Sequence, residues 1–289
     1  MRKTFLQWLT AGRYSSRVFN FLLDWGLDTV VLRLLHFRTR RKSRVFFKMH
    51  AERVQRIVDS LADEISKDTF VRAVLYRQTF RRKDAPPNES VAYFPRDLVS
   101  LTDHEVFIDC GAFVGDTVDL FLKQCSRRFN RIVCLEPDPS NFATLSKVHT
   151  DLRIVKLPVG AWSEKTTLQF QTGNGAGSAI AIQSADSALV IPVVALDGVE
   201  SCQGATFIKM DIEGAEMEAL AGAKQLIARY RPTLAICIYH SDEDMLRIAE
   251  YLFATLENYS FHVRHHSLNW QDTVLYAIPK PSRAYEHEL

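Results

Sequence analysis

The chain of 289 residues lacks a C-x-x-C pair among its five cysteines, and it lacks any apolar run long enough to cross a bilayer. Cys110, Cys134 and Cys237 lie inside apolar runs, where buried reduced thiols belong rather than bridges or metal ligands. That usage suits a reducing compartment. A secretory signal is also missing. Met1-Arg-Lys is followed only by a short apolar stretch, Thr4 to Ala11, broken by Gln7. Val18 to Leu35 is apolar overall, but Asn20, Asp24, Asp28 and Arg33 interrupt it. A membrane span needs about 20 nearly unbroken apolar residues. The expectation is a cytoplasmic protein. With 47% apolar and 24% charged residues, the chain is neither disordered nor collagen-like, and no internal repeat is visible.

What is present is asymmetric. Residues 1–50 carry 11 Lys/Arg against 2 Asp/Glu, whereas residues 101–289 carry 16 against 24. A basic arm therefore precedes an acidic body, and the two are expected to do different jobs. Arg38, Arg40, Arg41, Lys42 and Arg44 form the densest cluster. It suits phosphates of RNA or a peripheral contact with a membrane or lipid-linked substrate, and equally a solvated helix end. The arm is expected to be dispensable for cofactor binding.

Residues 1–85 read as a basic helical extension, and 86–289 as a second domain. Phe46, Phe47, His50, Val54, Ile57, Val58, Leu61 and Ile65 recur at helical spacing, with a break near Lys67-Asp68 before Phe70, Val74 and Leu75. Arg81 to Ser90 is rich in charge and breakers and marks the boundary. From residue 106 short apolar runs alternate with helical stretches. Strands are expected at Val106–Asp109, Arg131–Leu135, Arg153–Leu157, Ala205–Asp211, Thr233–Tyr239, Phe261–His265 and Thr273–Ile278. Helices are expected near 116–125, 140–149, 214–230 and 242–257, and an extra hairpin within 166–196. The alternation predicts an α/β fold with a mostly parallel sheet. The last two strands have too short a connection for anything but an antiparallel pair.

The first strand runs into Asp109-Cys-Gly111-Ala-Phe-Val-Gly115-Asp116-Thr117. Gly111 permits a tight turn, and the helix opening at Gly115–Asp116 presents free N–H groups. The run departs from G-x-G-x-x-G because Asp109 holds the first glycine's place. A carboxylate there repels a pyrophosphate but suits a ligand with an ammonium group, as S-adenosylmethionine (SAM) has; capping the next helix is the plainer account. The second strand ends at Glu136-Pro137, where an acid can accept from both ribose hydroxyls of a nucleoside. NAD enzymes use the same device, so it is the pairing with Asp109 that favours SAM. Gly160 and Ala161 leave room for an adenine, on which Trp162 either stacks or simply packs in the core.

In an open α/β sheet the ligand lies beyond the carboxyl ends of the strands. Those ends hold Asp109, Glu136, Asp211, His240 and His265. Asp211 is read as binding an acceptor hydroxyl or helping to hold the donor. His240, before the helix cap Ser241, is read as the base taking the hydroxyl's proton. Glu213, Glu216 and Glu218 fall near a helix N-terminus, which favours negative charge. Lys209 alternates away from its neighbours, on a face that periodicity leaves open. In Arg264-His265-His266, at the end of the sixth strand, the histidines read as exposed edge residues. A divalent metal held by them with Asp211 and His240 is the weaker reading, so no metal site is predicted. A nucleic-acid acceptor is disfavoured. The fourth strand lacks an Asn/Asp-Pro-Pro-aromatic turn, and no Pro-Cys pair occurs.

Together Asp109-x-Gly111, Gly115-Asp116-Thr117, Glu136-Pro137, Leu196-Asp197 and Ile208-Lys-Met-Asp211-Ile-Glu213-Gly214-Ala-Glu216 resemble the FkbM family of SAM-dependent methyltransferases. Ile238-Tyr239-His240, Arg264-His265 and Asp272 to Ala277 extend the resemblance, which covers roughly residues 93–278. It implies a class I, Rossmann-like methyltransferase sheet and SAM as donor. It also implies a hydroxyl acceptor, here a small molecule or saccharide. The competing readings are a scaffold that has lost catalysis and an RNA- or membrane-associated methyltransferase.

Overall fold

In the computed structural model, residues 37–89, 91–171, 179–180 and 189–281 are described. The start of the basic arm, residues 1–36, and the middle of the expected hairpin lie outside them. Three helices come first: α1 (Phe37–Met49), α2 (Ala51–Ser60) and α3 (Glu64–Thr79). The break falls at residues 61–63, not at Lys67-Asp68. Asp63 is extended and accepts from Ser66 N at 2.6 Å, which restarts the helix three residues before the expected interruption.

The main sheet contains β1 (Val106–Cys110), β2 (Arg131–Leu135), β3 (Ile154–Leu157), β8 (Phe207–Met210), β9 (Thr233–Cys237), β10 (Tyr259–His265) and β11 (Thr273–Pro279). Between β3 and β8 come β4 (Gly160–Ala161), β5 (Thr166–Gln171), β6 (Ala179–Ile180) and β7 (Leu189–Val194), which form a small second sheet. The antiparallel pair β5–β7 answers to the expected hairpin. The seven strands run in the order β10-β11-β9-β8-β1-β2-β3. All neighbours are parallel except those of β11, which is antiparallel to β9 and β10. The chain leaves β1 toward β2 on one side and meets β8 on the other. That reversal opens a crevice beyond the carboxyl ends of β1 and β8.

The remaining helices are α4 (Asp116–Gln124), α5 (Pro139–Leu145), α6 (Glu216–Ala221), α7 (Lys224–Tyr230) and α8 (Asp242–Thr255). The helix expected over 214–230 is thus two. At Gly222 the backbone passes so close to the Trp162 carbonyl that a Cβ would collide with it. Asp197 then accepts from Gln225 N and Leu226 N and starts α7 afresh. The Leu196-Asp197 pair is therefore a structural joint.

Apolar side chains cover both faces of the sheet. On one, Phe107, Phe121 and Phe207 surround Phe94, with Phe107 and Phe121 stacked at 4.7 Å. On the other, Phe47, Ile57, Phe70 and Val74 from α1–α3, with Leu61 between α2 and α3, join Ile227, Met245 and Leu252 in one core. The boundary near residue 85 therefore separates sequence patterns, not packed bodies. α3 lies along β10 and covers the sheet's edge, with Val263 N donating to Ser66 Oγ at 3.0 Å.

That cover corrects the reading of the histidines in Arg264-His265-His266 as exposed edge residues. Arg264 is 2% exposed and pairs with Asp97 at 2.6 Å and Asp63 at 3.3 Å. His265 Nε2 donates to the Asn269 carbonyl at 2.8 Å, and Nδ1 accepts from the Thr273 hydroxyl at 2.9 Å. Burial depresses both histidines to about 4, so they are neutral at pH 7.

Candidate functional site

A cleft of about 370 Å³ opens at the crevice between β1 and β8. Its two ends differ. One is bounded by the turn after β1, by the ends of β2 and β4, and by Ile191 and Val193 of β7. The other is bounded by the ends of β8 and β9, by Tyr93, and by Gln271 and Asp272 before β11.

The glycine turn is fixed from three sides. Gly111 N and Ala112 N both donate to the Leu135 carbonyl at 3.0 Å. Lys209 Nζ donates to the Gly111 carbonyl at 2.7 Å. Gly111 has φ +80, and a Cβ there would run into the Asp211 carbonyl, so only glycine fits between the strands. Gly115, at φ +95, caps α4 but packs against His149 and Leu145 and does not line the cleft. Asp116 and Thr117, at the start of α4, do line it, as do Gly160 and Ala161.

Glu136 stands at the rim with both oxygens anchored. Oε2 accepts from Phe113 N at 2.8 Å and Oε1 from Asp138 N at 2.9 Å. Oε1 also takes a longer bond from Asn141 Nδ2 at 3.4 Å, while Oε2 keeps a second lone pair with which to accept from a diol. Burial raises its pKa, against the pull of those two N–H groups.

Asp109 is placed otherwise than its sequence position suggests. It is fully buried beneath the cleft, and the ammonium beside its Oδ1, at 3.0 Å, is that of Lys209. The register explains this, because Asp109 and Lys209 are direct partners on adjacent parallel strands. Lys209 is the inward-facing residue that alternation could not orient. Asp109 and Asp211 outweigh the cost of burial and hold it charged. Trp162 also misses the cleft and packs with Ile191, Val193 and Leu168.

At the far end, Asp211 follows β8 and faces the cleft. It accepts from the Tyr93 hydroxyl at 2.8 Å and the Tyr239 hydroxyl at 2.9 Å. His240 follows β9 and sits behind Asp211, outside the cleft lining, with 8% of its side chain exposed. Its Nε2 lies 3.2 Å from Asp211 Oδ1 and 3.1 Å from Glu216 Oε1. Burial alone would lower its pKa; the two carboxylates override this and push it up to about 10. Asp211 is held below the usual carboxylate range despite burial, by His240, Lys209 and Tyr93. His240 stands behind Asp211 and does not line the cleft where an acceptor hydroxyl would lie, so the reading of His240 as general base is corrected.

Two other carboxyl groups border this end. Burial and the charge of Asp211 raise Asp272 to about 6, and burial raises Glu213 to about 7. Asp272 and Glu213 both adopt φ 58, a left-handed conformation that is uncommon for such residues. Asp272 and Tyr93 were missed as site residues, because each lies in an irregular stretch with no periodic pattern. Among the described residues, no helix is long and apolar enough to cross a membrane.

Known proteins agree with this architecture. The chain is similar to a crystal structure of methyltransferase FkbM from Methylobacillus flagellatus, with TM-score 0.70 and 28% identity, over 81% of this chain. It spans 60% of that protein's length. A second solved structure, Aeropyrum pernix fibrillarin with natively bound S-adenosyl-L-methionine, is matched at TM-score 0.39 and 16% identity. That match covers 63% of this chain and 71% of the other. A search of curated proteins finds no match. The methyltransferase FkbM domain matches residues 109–263, more than half of the sequence, on the class I methyltransferase sheet described above; the chain belongs to the FkbM methyltransferase family.

Proposed function

We propose that the protein is a SAM-dependent O-methyltransferase acting on a hydroxyl of a small molecule or saccharide. The observation that carries the donor reading is Glu136, a buried rim carboxylate whose oxygens are anchored by backbone N–H groups beside the glycine turn. Glu136 would hold the ribose diol. Gly160, Ala161, Ile191 and Val193 would give the adenine a small-walled, apolar seat. Asp116 and Thr117 border the path toward the other end.

When bound, SAM supplies a methyl group on a cationic sulfonium. Asp211, Glu213 and Asp272 make the acceptor end acidic, which suits a cation and disfavours a dinucleotide's pyrophosphate. Asp109 acts at one remove, through Lys209 and the Gly111 carbonyl, by fixing the turn. An aliphatic hydroxyl does not ionise near neutral pH, so its proton must leave as the new bond forms. Asp272 lines the cleft and is the group proposed to take it. Holding the acceptor oxygen in line with the methyl group supplies much of the remaining acceleration, for which positioning is worth about 7–11 kcal/mol.

Titration calorimetry with S-adenosylhomocysteine tests the donor site. Parent protein is expected to bind it more tightly than NAD. Glu136→Ala should weaken binding by about 1.5–3 kcal/mol, as for hydrogen bonds to a charged group. Equal affinity in the variant, or tighter binding of NAD, removes the proposal.

A further inference from the structure

Behind Asp211 three side chains converge from three separate elements. Asp211 ends β8, Glu216 opens α6 and His240 follows β9. One potential ligand atom from each lies within 4.8 Å of the others. Carboxylates crowded around a histidine are not by themselves a site. Here a second feature bears on what they hold.

His240 Nε2 is 3.2 Å and 3.1 Å from two carboxylate oxygens, yet it makes no aligned hydrogen bond with either. Its side chain is 8% exposed, so Nε2 is out of reach of bulk solvent. Glu216 is fully buried, and its Oε2 also has no donor. Buried polar atoms are nearly always paired, and paired N–H groups point at their acceptors. In this cluster the two oxygens flank the nitrogen off its axis. Atoms that share a common cation stand in this relation. With metal–ligand bonds of about 2.0–2.2 Å, neighbouring ligands around one ion are about 2.9–3.5 Å apart.

The surroundings brace the two carboxylates. Ligating carboxylates are usually braced by hydrogen bonds, and a ligating imidazole by an acceptor at its other nitrogen. The Tyr93 and Tyr239 hydroxyls donate to Asp211, and Ile212 N donates to Glu216 Oε1 at 2.9 Å. Glu213 Oε2 is the carboxylate facing the other imidazole nitrogen, 3.6 Å from His240 Nδ1 and beyond hydrogen-bond distance.

We propose that Asp211, Glu216 and His240 form a binding site for one divalent first-row transition cation, of the Mn²⁺, Fe²⁺ or Zn²⁺ class, which on binding releases the imidazole proton of His240 to solvent and takes its place between the two carboxylates. One imidazole with two carboxylates is a borderline donor set; Mg²⁺ prefers oxygen alone. Asp211 also lines the cleft, so the ion would lie behind it, next to the acceptor end and out of the cleft itself. The inference rests on these three side chains and is independent of how the donor is bound.

The test uses the full chain, stripped with EDTA and dialysed. Titration with MnCl₂ and ZnCl₂, followed by equilibrium dialysis and metal analysis, is expected to give one ion per chain. MgCl₂ should bind at least about 10-fold more weakly. Glu216→Gln and His240→Ala should each weaken Mn²⁺ binding by 10-fold or more. Tyr93→Phe, which removes only a brace, should weaken it by about 10-fold, the low end for such partners. Mn²⁺ should raise the Tm of the parent and leave that of Glu216→Gln unchanged. A fold-independent check is the visible spectrum of bound Co²⁺, which His240→Ala should alter. No binding at 1 mM Mn²⁺ or Zn²⁺, or equal binding by parent and Glu216→Gln, would establish a cation-free ion-paired cluster and overturn the proposal.

Discussion

Single carboxylates in this protein differ by what faces them. Asp109 neutralises a buried lysine, Glu136 lines the cleft with its oxygens held by backbone N–H groups, and Asp211 is crowded by two tyrosines and an imidazole. The sequence places all three at strand ends, which is the part that periodicity can read. It cannot read which neighbour each will meet. The Asp109–Lys209 pair follows only once β1 and β8 are known to be adjacent in register. His240 was legible as a strand-end histidine, but its protonated state depends on Glu216, brought in by the turn at Glu213-Gly214. Asp272 and Glu213 both line the cleft with raised pKa values, and Asp272 is the one proposed as the base. Burial and the nearby charge of Asp211 raise it to about 6, while Ser267, His240 and Lys209 oppose the rise. Its carboxylate is the competent form, so turnover should fall as pH drops through about 6 and level off above it. Asp272→Asn should lower turnover by about 10²-fold or more and remove that limb. The measurement is methyl transfer to a panel of sugars and hydroxylated small molecules between pH 5 and 8. An unchanged acidic limb in the variant would take Asp272 out of the reaction.

Elements with a clean period were the legible ones. The expected positions of the parallel strands match the observed ones to within two residues, because buried central strands are short apolar runs bounded by polar turns. Helix breaks were missed where close packing, not local propensity, sets them, as at Gly222 against Trp162. The contact of α3 with the site was equally invisible. Arg77 reaches from α3 to the segment that carries Tyr239 and His240. Its Nη1 donates to the Tyr239 carbonyl at 2.8 Å, and its Nε pairs with Asp242 at 2.6 Å, with the guanidinium 5.4 Å from the Trp270 ring centre. One side chain thus ties the first residues of α8 and the loop before β11 to the helical layer. The Arg77 and Asp242 side chains are 10% and 18% exposed, so solvent screens the pair only in part. Arg77→Ala should cost about 3 kcal/mol, the low end for breaking a buried pair. Urea denaturation gives the value, and Arg77→Lys should recover some of it. A variant as stable as the parent would show that the clamp contributes nothing.

Across the whole molecule, the shift from basic to acidic composition suggested a detachable arm. The described part of that arm, and the helix that follows it, are built into the core. Ser43, in the middle of α1, is 1% exposed, and Phe47, Ile57 and Leu61 are each no more than 3% exposed. Charge pattern and burial pattern thus divide the chain at different places. Arg41, Lys42 and Arg44 lie on the exposed side of α1, while its apolar side faces the sheet layer, so one helix carries both patterns. Burying each large apolar side chain is worth about 1.5–3 kcal/mol, so the three together contribute about 5–9 kcal/mol. Domains are stable by only about 5–15 kcal/mol in all. A chain beginning at Asp63 keeps α3 and its cap but loses all three residues. It should melt at least about 10 °C below the full chain, at about 2–4 °C per kcal/mol for a body of this size. Replacing Arg41, Lys42 and Arg44 by Gln removes exposed charge and no core, and should move Tm by no more than about 2 °C. Differential scanning calorimetry on both variants separates the two roles. A truncated chain that melts with the parent would restore the detachable arm, and a large loss in the Gln variant would mean that the basic face is itself a structural contact.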